Sequence, residues 1–147
     1  MDDFFAGWLS ELDAGLGAMS EDECSRLFSR CAERCSRDAL KYLYRDLFDR
    51  CGGDLDAFFS RVGEKNGVEG RIVETGRVYE LIFTSCDCPL HTRAGMRSPK
   101  LCECSKQSML CVFGDLLPGR NFTLERMETI LGGSGACRFR ICVGEKL

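Results

Sequence analysis

Cys86, Cys88, Cys102 and Cys104 stand as two C-x-C pairs on either side of one irregular stretch. Thiolates are the ligands that a soft divalent metal prefers, and four of them at about 2.3 Å make a closed tetrahedral zinc site. The second pair falls where helical spacing begins. The free N–H groups and the dipole of a helix start favour thiolates and lower their pKa. A metal clip here would also order the loop between the pairs. The spacing is tighter than the usual C-x2–4-C of zinc sites, and in extended backbone the two thiols of a C-x-C pair point to opposite faces. Redox or catalytic thiols and plain buried cysteines are the alternatives.

Three more cysteines are candidates from flanking elements. Cys31 and Cys35 are one helical turn apart, which suits two ligands of one metal. They share a face with Cys24, Leu27 and Phe28, so an apolar core stripe explains them equally well. Cys137 alternates with Phe139 and Ile141, which turns it toward the core. Cys51 and Cys142 fall outside this set, and Cys111 is isolated. His91, the sole histidine, lies in the same loop as Cys86 and Cys88 and would serve as a substitute ligand or as a plain loop residue.

The elements that must position these residues are legible from periodicity. Phe4, Phe5, Trp8, Leu9, Leu12 and Leu16 recur at helical spacing, and Gly15 and Gly17 end that helix. Ser20 with Glu23 is a capping box, so a second helix begins there and runs to about Cys51, with a break near Ser36–Asp38. Gly52-Gly53 terminates it, and Asp54 caps a third, shorter helix. Gly67 and Gly70 punctuate a turn. Residues 71–74 and 77–83 read as a hairpin. Residues 84–101 show no period. Glu103 to Leu117 is helical again, and 121–130 with 137–143 form a last hairpin. This order predicts a single α+β domain over 1–147, helical over 1–65 and sheet-containing over 66–147. Its N-terminal helices precede a β-β-α-β-β antiparallel sheet with helices on one face.

Composition excludes several classes. Hydrophobic residues at 44% and charged residues at 29% over 147 residues are those of a globular chain able to bury a core without disulfides. A formal net charge of −3 counts against nucleic acid. Asp2, Asp3, Glu11 and Asp13 leave no room for a secretory signal, and no apolar run approaches the ~18–20 residues of a membrane span. The expectation is a cytoplasmic protein with no membrane partner. In that reducing compartment the 11 cysteines serve as ligands, nucleophiles or apolar residues rather than disulfides.

Two segments carry a resemblance. Leu101-Cys102-Glu103-Cys104-Ser105 leads into a helix ending Phe113-Gly114-Asp115-Leu116-Leu117-Pro118-Gly119. Leu124 to Gly133 is followed by Cys137-Arg138-Phe139-Arg140-Ile141. Both resemble the C-terminal half of 4-vinyl-reductase-type ligand-binding domains, a fold seen in phenol sensors and vesicle-tethering subunits, and bacterial aminothiazoline-carboxylate hydrolase-like proteins. With Cys86-Asp87-Cys88-Pro89 and Cys31-Ala32-Glu33-Arg34-Cys35, the pattern most resembles an uncharacterised cysteine-rich bacterial family. In zinc-containing phenol sensors, ligands come from the start of the equivalent helix and from both strands of the last hairpin. Cys102 or Cys104 and Cys137 match two of those positions. The remaining one falls near Thr129, which cannot replace a thiolate, so Cys86 or Cys88 would have to do so.

The resulting expectation is a small-ligand binding or sensing domain whose cysteine-rich site binds zinc, with a small apolar molecule as partner. A hydrolase-like enzyme is the first alternative. It would use Cys104 as nucleophile and His91, Glu103, Glu125 or Glu128 as base. A redox or iron–sulfur protein is the second, although none of the usual cluster spacings occurs. Bulky Phe4, Phe5 and Trp8 near the start suit a homodimer.

Overall fold

The computed structural model describes residues 2–64 and 67–146. The expected boundary at 65/66 falls on residues outside that set. Among the described residues no helix is long and apolar enough to cross a membrane.

Helix α1 (Asp3–Gly17) is capped by Asp2, whose carboxylate accepts from the Phe5 amide. Helix α2 (Glu21–Cys35) starts at the expected capping box, with both reciprocal bonds between Ser20 and Glu23 made. The expected break is a π-helical turn, Ser36–Leu40, that runs into α3 (Lys41–Arg50). Such turns widen the helix locally and recur at functional sites. Gly52 and Gly53 adopt φ of +65° and +77°, which closes α3 at little steric cost. Asp54 then caps α4 (Leu55–Arg61), as its position predicts.

The sheet is antiparallel, in the order β1-β2-β4-β3. Strand β1 (Val68–Glu74) pairs with β2 (Val78–Phe83), and β4 (Cys137–Lys146) lies between β2 and β3 (Arg120–Glu128). Helices cover one face. Tyr79, Leu81, Leu124, Phe139 and Ile141 point into a core with Phe58, Phe59, Met109 and Phe113. The Phe59 ring stacks on Tyr79 at 4.5 Å between centroids. A second cluster joins Leu9 and Leu16 of α1 to Cys24, Phe28, Met96 and Leu101.

Two expectations change. Gly70 lies inside β1, because that strand starts at Val68 and passes directly under α4. The 84–101 stretch is not without structure: it holds α5 (Pro89–Thr92) and a 3-10 turn at Pro99–Leu101. Proline fixes φ at the first position of each, and both are too short to show a period.

Candidate functional site

A cavity of about 400 Å³ opens at one end of the sheet, between the last turns of α2, the start of α6 (Cys102–Leu116) and the irregular stretch after β2. Its floor is the strand end where Val68, Phe83 and Cys137 are register partners. Leu40 and Tyr44 enter from the π-turn and α3, and Ser108 and Met109 enter from α6. Six cysteines reach its wall: Cys35, Cys86, Cys88, Cys102, Cys104 and Cys137. Of the seven predicted site cysteines, only Cys31 lies outside the lining, one helical turn before Cys35.

The thiols sort into two sets. Cys102 feels Cys137 and Cys86. Cys104 feels Cys88, Cys31 and Cys35 instead. The division follows from backbone geometry. Two residues apart on a helix is about 200° of rotation, so Cys102 and Cys104 leave α6 in different directions. Cys102 turns to the hairpin, where it lies beside the Thr129 hydroxyl. That hydroxyl also accepts from the Gly132 amide at 3.0 Å, and the Cys137 sulfur accepts from the Ile130 amide at 3.3 Å. Cys104 turns toward α2, with Ser108 one turn further along α6 beside it.

Burial dominates the chemistry of these groups. Desolvation pushes the thiols of Cys102 and Cys104 up to about 11, and raises Cys137 as well. A helix start was expected to lower the first two. Burial is the largest influence on both, and at Cys104 the neighbouring Cys88, Cys31 and Cys35 add to the rise. Arg126 lowers Cys102 only slightly relative to that burial. Its guanidinium is already engaged by the buried Glu103 carboxylate at 3.0 Å. Glu103 also accepts from Ser25 at 3.1 Å and Gln107 at 3.0 Å.

Among the described residues, no three His, Cys, Asp or Glu side chains converge on one point as metal ligands do. Side-chain bonds to the backbone hold the irregular stretch. Asp13 accepts from the Arg97 and Ser98 amides at 2.9 and 3.0 Å, and Lys100 donates to the Met19 carbonyl. His91 donates from Nδ1 to the Met96 carbonyl at 2.8 Å and is not part of the cavity wall. Of the candidate bases, Glu125 is exposed and Glu128 pairs with Arg138 at 3.6 Å. Cys24 is core, Cys142 is exposed on the helix-free face, and Cys51 packs against the main core. The apolar lining from Leu40, Tyr44 and Met109 was not foreseen, because each reads in sequence as one more member of an amphipathic stripe.

The chain matches no protein-family model and no curated protein sequence. In structure it is similar to a trafficking protein particle complex subunit 3 from Naegleria fowleri, determined covalently bound to palmitic acid. The identity is 10% and the TM-score 0.47, over 98% of this chain and 95% of that one. A likeness this distant assigns neither ligand nor partner.

Proposed function

We propose that this chain is a small-ligand binding or sensing domain, in which the cavity takes a small apolar molecule and the thiol shell around it binds zinc. The carrying observation is the cavity itself: about 400 Å³, walled by Leu40, Leu43, Val68, Phe83, Met109 and Phe139, with six cysteines in the same wall. Ligand sites of about 300–1,000 Å³ with apolar walls and a few convergent polar groups are the usual pattern. The resemblance of 101–119 and 124–141 to 4-vinyl-reductase-type domains supports the same reading. Zinc would be bound by thiolates drawn from Cys86, Cys88, Cys102, Cys104, Cys137, Cys31 and Cys35. It would displace their protons and pull the ring of thiols inward. The raised thiols speak against the hydrolase-like alternative, because a thiol held near 11 is not an activated nucleophile at neutral pH.

The test is native mass spectrometry with elemental analysis of anaerobically purified protein. The reading expects about one zinc per chain or more, and an apolar molecule released from the cavity or accepted into it. A metal-free protein with one hyper-reactive thiol would overturn it in favour of an enzyme, and a brown chromophore would favour an iron–sulfur cluster.

Self-association belongs to the same reading. Phe4 at 85% exposure and Trp8 at 55% leave an apolar stripe on α1 open. Sedimentation is expected to show a homodimer that Trp8→Glu converts to monomer.

A further inference from the structure

The charge of the cavity decides what can enter it. We propose that the cavity takes neutral apolar molecules carrying one hydroxyl or carbonyl group and rejects carboxylates, with Asp87 as the charge at its mouth. The inference rests on the ligand-binding reading above and names the chemical class of the ligand.

Size and lining come first. A volume of about 400 Å³ equals the liquid share of about 13 water molecules, which suits a ligand of roughly a dozen non-hydrogen atoms. Leu101, Met109 and Phe139 are buried in its wall and offer only apolar contact. The polar side chains of the same wall include Tyr44, Ser105 and Ser108, whose hydroxyls are uncharged at neutral pH. A hydroxyl can donate to a carbonyl, or donate to and accept from another hydroxyl. It brings no net charge to meet an ion.

Charge then narrows the class. Among the described residues that line the cavity, Asp87 alone carries a formal charge at neutral pH. Asp87 is exposed, which puts it on the solvent side of the lining, and the Ser85 hydroxyl bonds its two oxygens at 3.3 and 3.4 Å. Basic side chains next to the lining residues have partners of their own. Arg45 follows Tyr44 and donates to the Asp115 carboxylate at 3.0 Å. Lys100 precedes Leu101 and donates to the Met19 carbonyl. Arg126 is held by the buried Glu103 at 3.0 Å. A carboxylate entering the cavity would pass a like charge, lose its water and find no cation in the lining. That is the costly way to bury an ion. The thiols of Cys102 and Cys104 meet the same cost, since burial disfavours their anions and raises both. Zinc would not reverse the sign, because three or four thiolates on one Zn²⁺ make a net-negative centre.

The experiment is calorimetric titration of the full-length protein at pH 7 with 1-octanol, methyl octanoate and octanoate. Displacement of an environment-sensitive apolar fluorophore reports that the cavity is the place bound. At that pH octanoate is ionised, so it differs from its methyl ester chiefly in charge. The expected result is that 1-octanol and methyl octanoate displace the fluorophore and bind at least about 100-fold more tightly than octanoate. A smaller gap, or a fluorophore that neither neutral compound displaces, would overturn the inference and leave a ligand cavity standing. If the fluorophore and all three compounds fail to bind, the ligand-binding reading falls with it. Asp87→Lys places a cation at the mouth and should narrow the gap by at least about threefold, in the range of an exposed ion pair, with the fold checked by circular dichroism. Should that variant not fold, Asp87→Asn, which removes the like charge, must still narrow the gap. A gap unchanged in the folded variant would overturn the part given to Asp87.

Discussion

Cys102, at the start of α6, lies beside Cys137, at the start of β4, whose sulfur accepts from the Ile130 amide at 3.3 Å, so the helix and the last hairpin meet at the cavity floor. The Thr129 hydroxyl lies beside Cys102 at this junction and accepts from the Gly132 amide at 3.0 Å. Thr129→Val removes that hydroxyl while keeping its shape. A lost buried hydrogen bond costs about 1–2 kcal/mol, and denaturant unfolding is expected to show that loss with the fold unchanged. A variant as stable as wild type would mean that the junction contributes nothing.

At Gly70 helix α4 and strand β1 approach closely. A Cβ there would lie 2.1 Å from the Phe59 carbonyl oxygen and 2.6 Å from Val62 Cγ1. The first is backbone and cannot rotate away. Gly70→Ala must therefore push α4 off β1, at about 3 kcal/mol or more. The change should appear as a lower denaturation midpoint. Gly76→Ala, in the exposed turn, is the instructive control: its Cβ meets nothing within 4 Å, and its cost comes from a φ of +78° alone.

This position also shows what the sequence reveals and what it conceals. Helix starts at Ser20 and Asp54 are readable because capping is local chemistry, and the strand alternation from Cys137 to Val143 is readable because only one face is covered. Gly70 reads as a turn residue because nothing in the sequence reports that α4 lies over it. The site divides in the same way. The list of cysteines is visible, as is the inward turn of Cys137. Their sorting into two sets, and the burial that raises Cys102 and Cys104 instead of lowering them, depend on α2, α6 and the hairpin meeting in space. The walls from Leu40, Tyr44 and Met109 were hidden for the same reason.

Tyr44 and Tyr79 give the stability its alkaline limit. Burial raises both to about 12, and for Tyr79 the bond from its hydroxyl to Asp56 at 2.6 Å adds to the rise. In the unfolded chain they ionise near about 10. The folded state therefore holds these protons more tightly. Its stability is full below pH ~10 and falls as pH rises from there toward 12. Equilibrium unfolding across that window, followed with tyrosinate absorbance, should show the loss. Tyr79→Phe should make the slope shallower while lowering stability at neutral pH by about 1 kcal/mol.

On the helix-free face Glu80 is 1% exposed, beneath Arg138 at 3.2 Å, Arg71 at 3.3 Å and Arg140 at 3.4 Å. Alternation points Glu80 away from the apolar core, and the three guanidinium groups bury it. Glu80→Gln leaves three cations without their shared anion. Removing one partner from a buried ionic group costs about 3 kcal/mol, and the deficit should shrink in high salt as the arginines are screened. Insensitivity to salt would mean that packing, not charge, is lost.

The cavity is where the account is most exposed. Titration of an environment-sensitive apolar fluorophore into the full-length protein tests it directly, beside Ser108→Phe, in which a ring grows from a buried position of α6 into the cavity. The account predicts saturable binding to wild type, displacement by a small apolar competitor, and a loss of at least about tenfold in affinity in a folded Ser108→Phe protein, which is about 1.4 kcal/mol. Equal binding by wild type and a folded Ser108→Phe, or no saturable binding by wild type, would contradict it.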